Sequence, residues 1–123
     1  RFDYSALGDA VNLASRLEGQ TKGYGVSILL GAQTAHLAGK EIAVIELDRV
    51  AVKGKSELAT VSTVLATEID PSIRAAHCAF LEDYYAGRIL KAIDRLKALE
   101  EALPELRDYY SRQHRMLLDQ PQG

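Results

Sequence analysis

Asn12 and Arg16 stand four residues apart in the run Gly-Asp-Ala-Val-Asn-Leu-Ala-Ser-Arg-Leu-Glu, residues 8–18. On a helix that spacing projects both side chains from one face, one turn apart. A guanidinium can fork onto phosphate oxygens, and a carboxamide can bond a ribose oxygen, so the pair suits an oxygen-rich ligand. From spacing alone the simpler account is the solvated face of an amphipathic helix, because most such pairs are surface residues. Something more specific is needed to overturn it.

The elements that must position the pair read as follows. Phe2 to Leu7 has the aromatic, alternating character of a strand, and Gly8 ends it. Asp9 is a natural N-cap, since its carboxylate can accept from the free N–H groups of the next turn. Val11, Ala14 and Leu17, with Leu13 beside them, give an apolar helical stripe over about Ala10 to Glu18. Gly19, Gly23 and Gly25 break that helix, and Val26 to Leu30 is a short buried strand. Ala32 to Ala38 predicts a short helix closed by Gly39 at its C′ position. Glu41 to Val52 is extended, with Ile45 and Leu47, then Val50 and Val52, on one face. Asp48-Arg49 shifts the phase between those pairs, which predicts a bulge there. Gly54-Lys55-Ser56 turns the chain, and Leu58 to Ala66 returns as a β-branched strand. The order β-α-β-α-β-β is that of an α+β sandwich, but a partial one with a small core.

After Asp70-Pro71 the composition changes. Ser72 to Tyr85, Arg88 to Ala102 and Glu105 to Leu118 have helical spacing and almost no β-branched residues. Ile89, Ile93, Leu96 and Leu103 form a stripe on the second of them. Gly87, Ala92, Leu96 and Pro104 sit at spacings that resemble one tetratricopeptide unit, although a solenoid needs about three repeats. The expected arrangement is a helical hairpin with a third helix.

The 123 residues carry 47% hydrophobic and 26% charged residues, the balance of a soluble globular chain. The formal charge is -2, from 15 basic and 17 acidic residues, and neither half is a basic tail. Nothing in that balance favours nucleic acid or an anionic membrane. The lone Cys78, among Ala75, Ala76, Ala79 and Phe80, excludes an internal disulfide and reads as a structural thiol on a helix. No apolar run approaches the length of a membrane span, and no signal peptide is visible. Because the chain opens at Arg1 inside a strand-like run, it is expected to be a piece of something longer.

Other patterns carry less. Gly54-Lys55-Ser56 would need a glycine at position 49 to be a phosphate loop, and Arg49 stands there. Gly23-Tyr24-Gly25 lacks the third glycine of a dinucleotide fingerprint and precedes a strand. His36, His77 and His114 have no partners at zinc-ligand spacing. Asp83, Tyr84, Tyr85, Tyr109 and Tyr110 read as packing between tail helices. Arg95, Lys97, Glu100 and Glu101 read as solvated faces.

What overturns the bland account of Asn12 and Arg16 is the wording around them. Tyr4, Gly8, Asp9, Val11, Asn12, Ala14, Ser15, Arg16, Leu17 and Glu18, in register and without gaps, closely resemble a signature of class III adenylate and guanylate cyclases of the bacterial adenylate cyclase type. Val52-Lys53-Gly54-Lys55 follows in the expected order and resembles that family's Val-Lys-Gly hairpin. The resemblance covers roughly residues 1–67. It implies a partial ferredoxin-like cyclase α/β sandwich over residues 1–68, followed by an α-helical tail over 69–123.

The resemblance further implies that Asn12 orients the ribose of ATP and that Arg16 stabilises charge on the phosphates as the ribose 3′-oxygen attacks the α-phosphorus. Lys53 would hold the terminal phosphates. Ser5 would help choose the base, with a hydroxyl that pairs with an adenine edge and favours ATP over GTP. Two such domains pair head to tail in the family, so a homodimer with a second cyclase domain is expected. The family's reaction also needs Mg²⁺ or Mn²⁺. Both metal-binding aspartates are expected outside this chain, Asp9 being explained as a cap, so the chain alone should be silent. A cytoplasmic location is expected, with any membrane tether in a region not present here. The alternative is a catalytically silent module for dimerisation or nucleotide binding. Sheet edges left open by the missing strands predict self-association.

Overall fold

The structure is a computed structural model and describes residues 24–51 and 58–120. The strand expected at Phe2 to Leu7, the helix from Ala10 to Glu18 and the Gly54-Lys55-Ser56 turn lie outside the described residues. The described chain forms two compact units, one of residues 27–66 and one of Tyr24–Val26 with residues 67–120.

In the first unit, helix α1 (Ala32–Ala38) occupies the residues that its apolar spacing marks out. Its closure differs from expectation. Gly39 holds a right-handed φ of −62°, and its N–H bonds the Ala35 carbonyl at 2.9 Å. The chain leaves through further right-handed turns, with the Ile42 N–H on the Ala38 carbonyl at 2.9 Å, so no left-handed glycine cap is used. Strands β1 (Val44–Ala51) and β2 (Leu58–Val64) pair antiparallel. The expected strand over Val26 to Leu30 contracts to one bridge, in which Leu30 and Ser62 exchange N–H···O bonds of 2.7 and 2.9 Å. The Thr63 hydroxyl donates to the Ile28 carbonyl at 2.8 Å and ties the same segment to β2.

The phase shift in β1 is a bulge, one residue earlier than Asp48-Arg49. Glu46 faces Ser62 and Asp48 faces Val61, which leaves Leu47 as the extra residue. An inserted residue advances the alternation by one. Ile45 and Leu47 are therefore buried, Asp48 is buried beside Leu47, and Val50 continues the new phase half-buried. The core of this unit is Ala43, Ile45, Leu47, Val61 and Leu65.

The second unit begins where its capping chemistry dictates. Asp70 accepts from the Ser72 N–H at 2.8 Å and the Ser72 hydroxyl at 2.6 Å, and Pro71 supplies a preset φ for the first turn of α2 (Pro71–Tyr85). At the other end Gly87 takes φ +78°, with its N–H on Tyr84 O at 3.1 Å and the Arg88 N–H on Asp83 O at 2.9 Å. This is a Schellman closure, which needs a residue free to adopt the left-handed region. Helix α3 (Ile89–Ala102), a 3₁₀ turn (Pro104–Leu106) and α4 (Arg107–Leu118) follow. Helix α2 packs on α3, and α3 packs on α4. The buried stripe of α3 is Ala92, Ile93, Leu96 and Leu99, with Ile89 and Leu103 only half-buried. Phe80, Leu81, Leu106, Tyr109, Tyr110 and Leu117 complete the core. Strands followed by helices make the chain α+β.

Candidate functional site

Ser5, Asn12, Arg16 and Lys53 all lie outside the described residues, as does Asp9. Strands β1 and β2 stay paired to Ala51 and Leu58, and Lys53 falls in the sequence between them, outside the described residues.

In the hairpin unit Arg49 pairs with Glu46 at 3.8 Å and its backbone N–H bonds the buried Asp48 carboxylate at 2.7 Å. The helical unit holds two further polar clusters. Asp83, on α2, accepts from Arg88 Nε at 2.7 Å and from Arg95 Nε at 2.5 Å. Its side chain is 7% exposed, whereas the Arg88 and Arg95 side chains are nearly half exposed. The hydrogen bond from Arg88, followed by that from Arg95, holds the Asp83 carboxyl below the usual carboxylate range. Arg95 is therefore more than the solvated residue that its exposed position predicts, because it ties α3 to α2 across the Gly87 turn. A carboxylate with both oxygens engaged by fixed cations is a fastener rather than an acid or base for a substrate.

The second cluster is aromatic. His77 Nδ1 and Tyr110 Oη are joined by a hydrogen bond of 2.8 Å between α2 and α4. Phe80, Tyr109 and Tyr110 stand with ring centroids 6.0, 6.2 and 5.7 Å from the imidazole. Burial pushes the Tyr110 phenol well above its ordinary range. The hydroxyl stays protonated and reaches no solvent, so this group is built into the core. The tail tyrosines pack as their helical spacing predicts. The signal for His77 was present in the sequence: Phe80, Leu81 and Tyr84 follow it at three, four and seven residues, which places it on the buried face of α2. The Asp83–Arg95 contact had no such signal, since twelve residues and a turn separate the two.

Cys78 lies on the exposed side of α2 rather than in its core. Among the described residues no three His, Cys, Asp or Glu side chains group so as to hold a metal ion, and a divalent ion does not fit them. No helix of the described residues is long and apolar enough to cross a membrane.

The chain is similar to three proteins named as adenylate cyclases. It is 42% identical over 69 residues to the adenylate cyclase of Anabaena cylindrica, covering 54% of this chain and 14% of that protein. It is 39% identical over 56 residues to adenylate cyclase 1 of Rhizobium meliloti (strain 1021), covering 46% and 8% respectively. It is 46% identical over 71 residues to the terminal-differentiation specific adenylate cyclase of Dictyostelium discoideum, covering 55% and 3%. The chain thus spans a small part of each relative. No family model matches it, and no solved structure does.

Proposed function

We propose that this chain is the C-terminal half of a class III adenylate cyclase catalytic domain with a helical appendage, and that the protein it belongs to converts ATP to 3′,5′-cyclic AMP and pyrophosphate. The observation that carries the reading is the ungapped signature over Tyr4–Glu18 followed in order by Val52-Lys53-Gly54. Similarity to three adenylate cyclases at 39–46% identity supports it.

In the reaction the ribose 3′-oxygen loses its proton and bonds the α-phosphorus. The bond to the bridging oxygen breaks, and pyrophosphate leaves. Asn12 holds the ribose so that the 3′-oxygen lies in line. Arg16 offsets the charge that grows on the phosphate oxygens, an effect that counts only if it is larger in the transition state than in bound ATP. Lys53 holds the terminal phosphates as a point charge, and the Ser5 hydroxyl bonds the adenine edge. Mg²⁺ or Mn²⁺ would activate the 3′-hydroxyl and carry the triphosphate. The ligands for these ions belong to a part of the protein outside this chain, so the chain alone turns over nothing. The working unit is a dimer of cyclase domains on the cytoplasmic side.

The test is cyclic AMP production from ATP by the longer protein, with GTP as competitor. Arg16→Ala should lower kcat by about 10²–10³, and Asn12→Ala should also collapse activity, while the isolated chain stays silent. A longer protein inactive with either nucleotide ends the enzyme reading and leaves the signature as a scaffold.

A further inference from the structure

Asp83 engages both carboxylate oxygens with the Nε atoms of Arg88 and Arg95, and its own capacity is filled. That of the two guanidinium groups is not. Each bonds Asp83 through Nε alone, so its outer edge, Nη1 and Nη2, carries no hydrogen bond among the described residues. Glu82 stands 3.9 Å from Arg88 Nη2 and is 79% exposed, a contact too long for a hydrogen bond. Lys91 follows Arg88 by three residues and precedes Arg95 by four, which puts the three cations on one face at the start of α3. Lys91 and Asp94 are exposed, and neither takes part in an ion pair among the described residues. A guanidinium held at Nε by a buried carboxylate has given up rotamer freedom before any ligand arrives. A ligand at its outer edge therefore meets a fixed fork.

We propose that Arg88, Lys91 and Arg95 form a binding site for a phosphate dianion, either inorganic phosphate or the terminal group of a soluble phosphate ester. The match is one of charge and of oxygens. A carboxylate brings two oxygens and a single charge, and one guanidinium fork satisfies it. A phosphate monoester brings three acceptor oxygens and close to two charges at about pH 7, which calls for more than one cation. The outer edges of Arg88 and Arg95 supply two forks, and the Lys91 ammonium adds a point charge beside them. Asp83 is the positioning residue, since it orders both forks and leaves the ligand to their far side. The site shares no residue with the proposed catalytic set and stands whether or not the cyclase reading does.

NMR titration of the intact 123-residue chain with inorganic phosphate, at constant ionic strength in chloride, tests the site. The Nε–Hε signals of Arg88 and Arg95 and the backbone amide of Lys91 should shift saturably, with Kd on the order of 1 mM. Arg95→Lys keeps the charge but loses the fork, and should weaken binding about tenfold. Lys91→Ala, at an exposed position, should weaken it about threefold without disturbing the fold. Glu82→Gln removes a competing anion and should tighten binding about twofold. These two exposed variants decide the matter even where Arg95→Lys does not fold. Acetate at the same ionic strength should bind about tenfold more weakly than phosphate. O-phosphoserine separates the sources: tighter binding than inorganic phosphate assigns the site to an ester, and weaker binding assigns it to the free anion. Shifts that grow without saturating overturn the proposal. So does a Kd for phosphate that is the same in wild type, Lys91→Ala and Glu82→Gln, and so does acetate binding as tightly as phosphate.

Discussion

The hairpin unit and the helical unit solve the burial of side chains differently. In the hairpin, the buried apolar side chains among the described residues are aliphatic: Ala43, Ile45, Leu47, Val61 and Leu65. Ile28, Leu37, Ile42 and Leu58 remain exposed there. In the helical unit four aromatic rings (Phe80, Tyr109, Tyr110 and the imidazole of His77) are essentially sealed from solvent. Its charged fastener, Asp83 with Arg88 and Arg95, locks the α2–α3 turn. The helical unit thus commits its polar chemistry to its own fold. The residues proposed for catalysis, Ser5, Asn12, Arg16 and Lys53, lie outside the described residues. A polar cluster is evidence of a ligand site only when its hydrogen-bonding capacity is left over, and in the helices most of it is used.

If that contrast is right, equivalent deletions should cost more in the helices. Phe80 lies at 0% exposure, edge-on to Tyr110 and stacked on Tyr84. Phe80→Ala should destabilise by about 3–5 kcal/mol. Leu47, also at 0%, is the extra residue of a bulge, where the irregular pairing can shift to close part of the gap. Leu47→Ala should cost about 2 kcal/mol, the low end for such deletions. Urea titration of a Tyr4→Phe background separates the two units, because the remaining tyrosines, Tyr24, Tyr84, Tyr85, Tyr109 and Tyr110, report on the helices in near-ultraviolet circular dichroism. Amide NMR signals of Ile45 and Val61 report on the hairpin. A Leu47→Ala loss larger than that of Phe80→Ala would break the comparison.

The two units also differed in how readable they were. Each tail helix was legible to within a residue or two, because its signals are local: Asp70-Pro71 at a start, Gly87 at a left-handed stop, Pro104 at a break, and apolar spacing between them. Helix α1 was equally plain. The run Val26 to Leu30 was not, since whether a short apolar segment becomes a strand depends on partners far away in sequence, and only Leu30 found one. The bulge was visible as a phase shift, but its position waited on the pairing of Glu46 and Asp48 with β2. Asp83 with Arg95 was hidden for the same non-local reason. The candidate site was legible as wording alone: Ser5, Asn12, Arg16 and Lys53 lie outside the described residues, and the motif alone carries them.

The charged fastener sharpens the comparison through pH. Asp83 titrates lower in the folded chain than in an unfolded one, where a carboxyl group protonates near pH 4, roughly. A group depressed by folding contributes stability above its unfolded value, and that contribution is lost as pH falls through the folded one. Asp83→Asn should therefore lower the melting temperature of the helices by a few degrees at pH 7. It should also flatten their loss of stability below about pH 4. Thermal melts at pH 7, 5 and 3, followed by tyrosine circular dichroism, read both effects. An unchanged acid limb would mean that the ion pairs are incidental to the fold.

Gln113 is the exception inside the helical unit, and it gives the smallest effect. Its residue is 4% exposed, on α4 three residues beyond Tyr110, and its Nε2 is buried without a hydrogen-bond partner. An amide nitrogen taken from water with nothing to receive its protons costs free energy, whereas an apolar group of similar shape loses nothing there. Gln113→Leu should therefore stabilise the helices by about 1 kcal/mol, partly offset by the fit of a branched chain in a straight one's space. The variant separates two meanings of a buried polar side chain. If the helical unit is organised for its own stability, removing its one unsatisfied amide among the described residues raises the urea midpoint without changing the slope. If Gln113→Leu instead lowers the unfolding free energy by about 1 kcal/mol or more, the amide nitrogen has a partner in solution, and the helical core holds a polar contact that Gln113 completes.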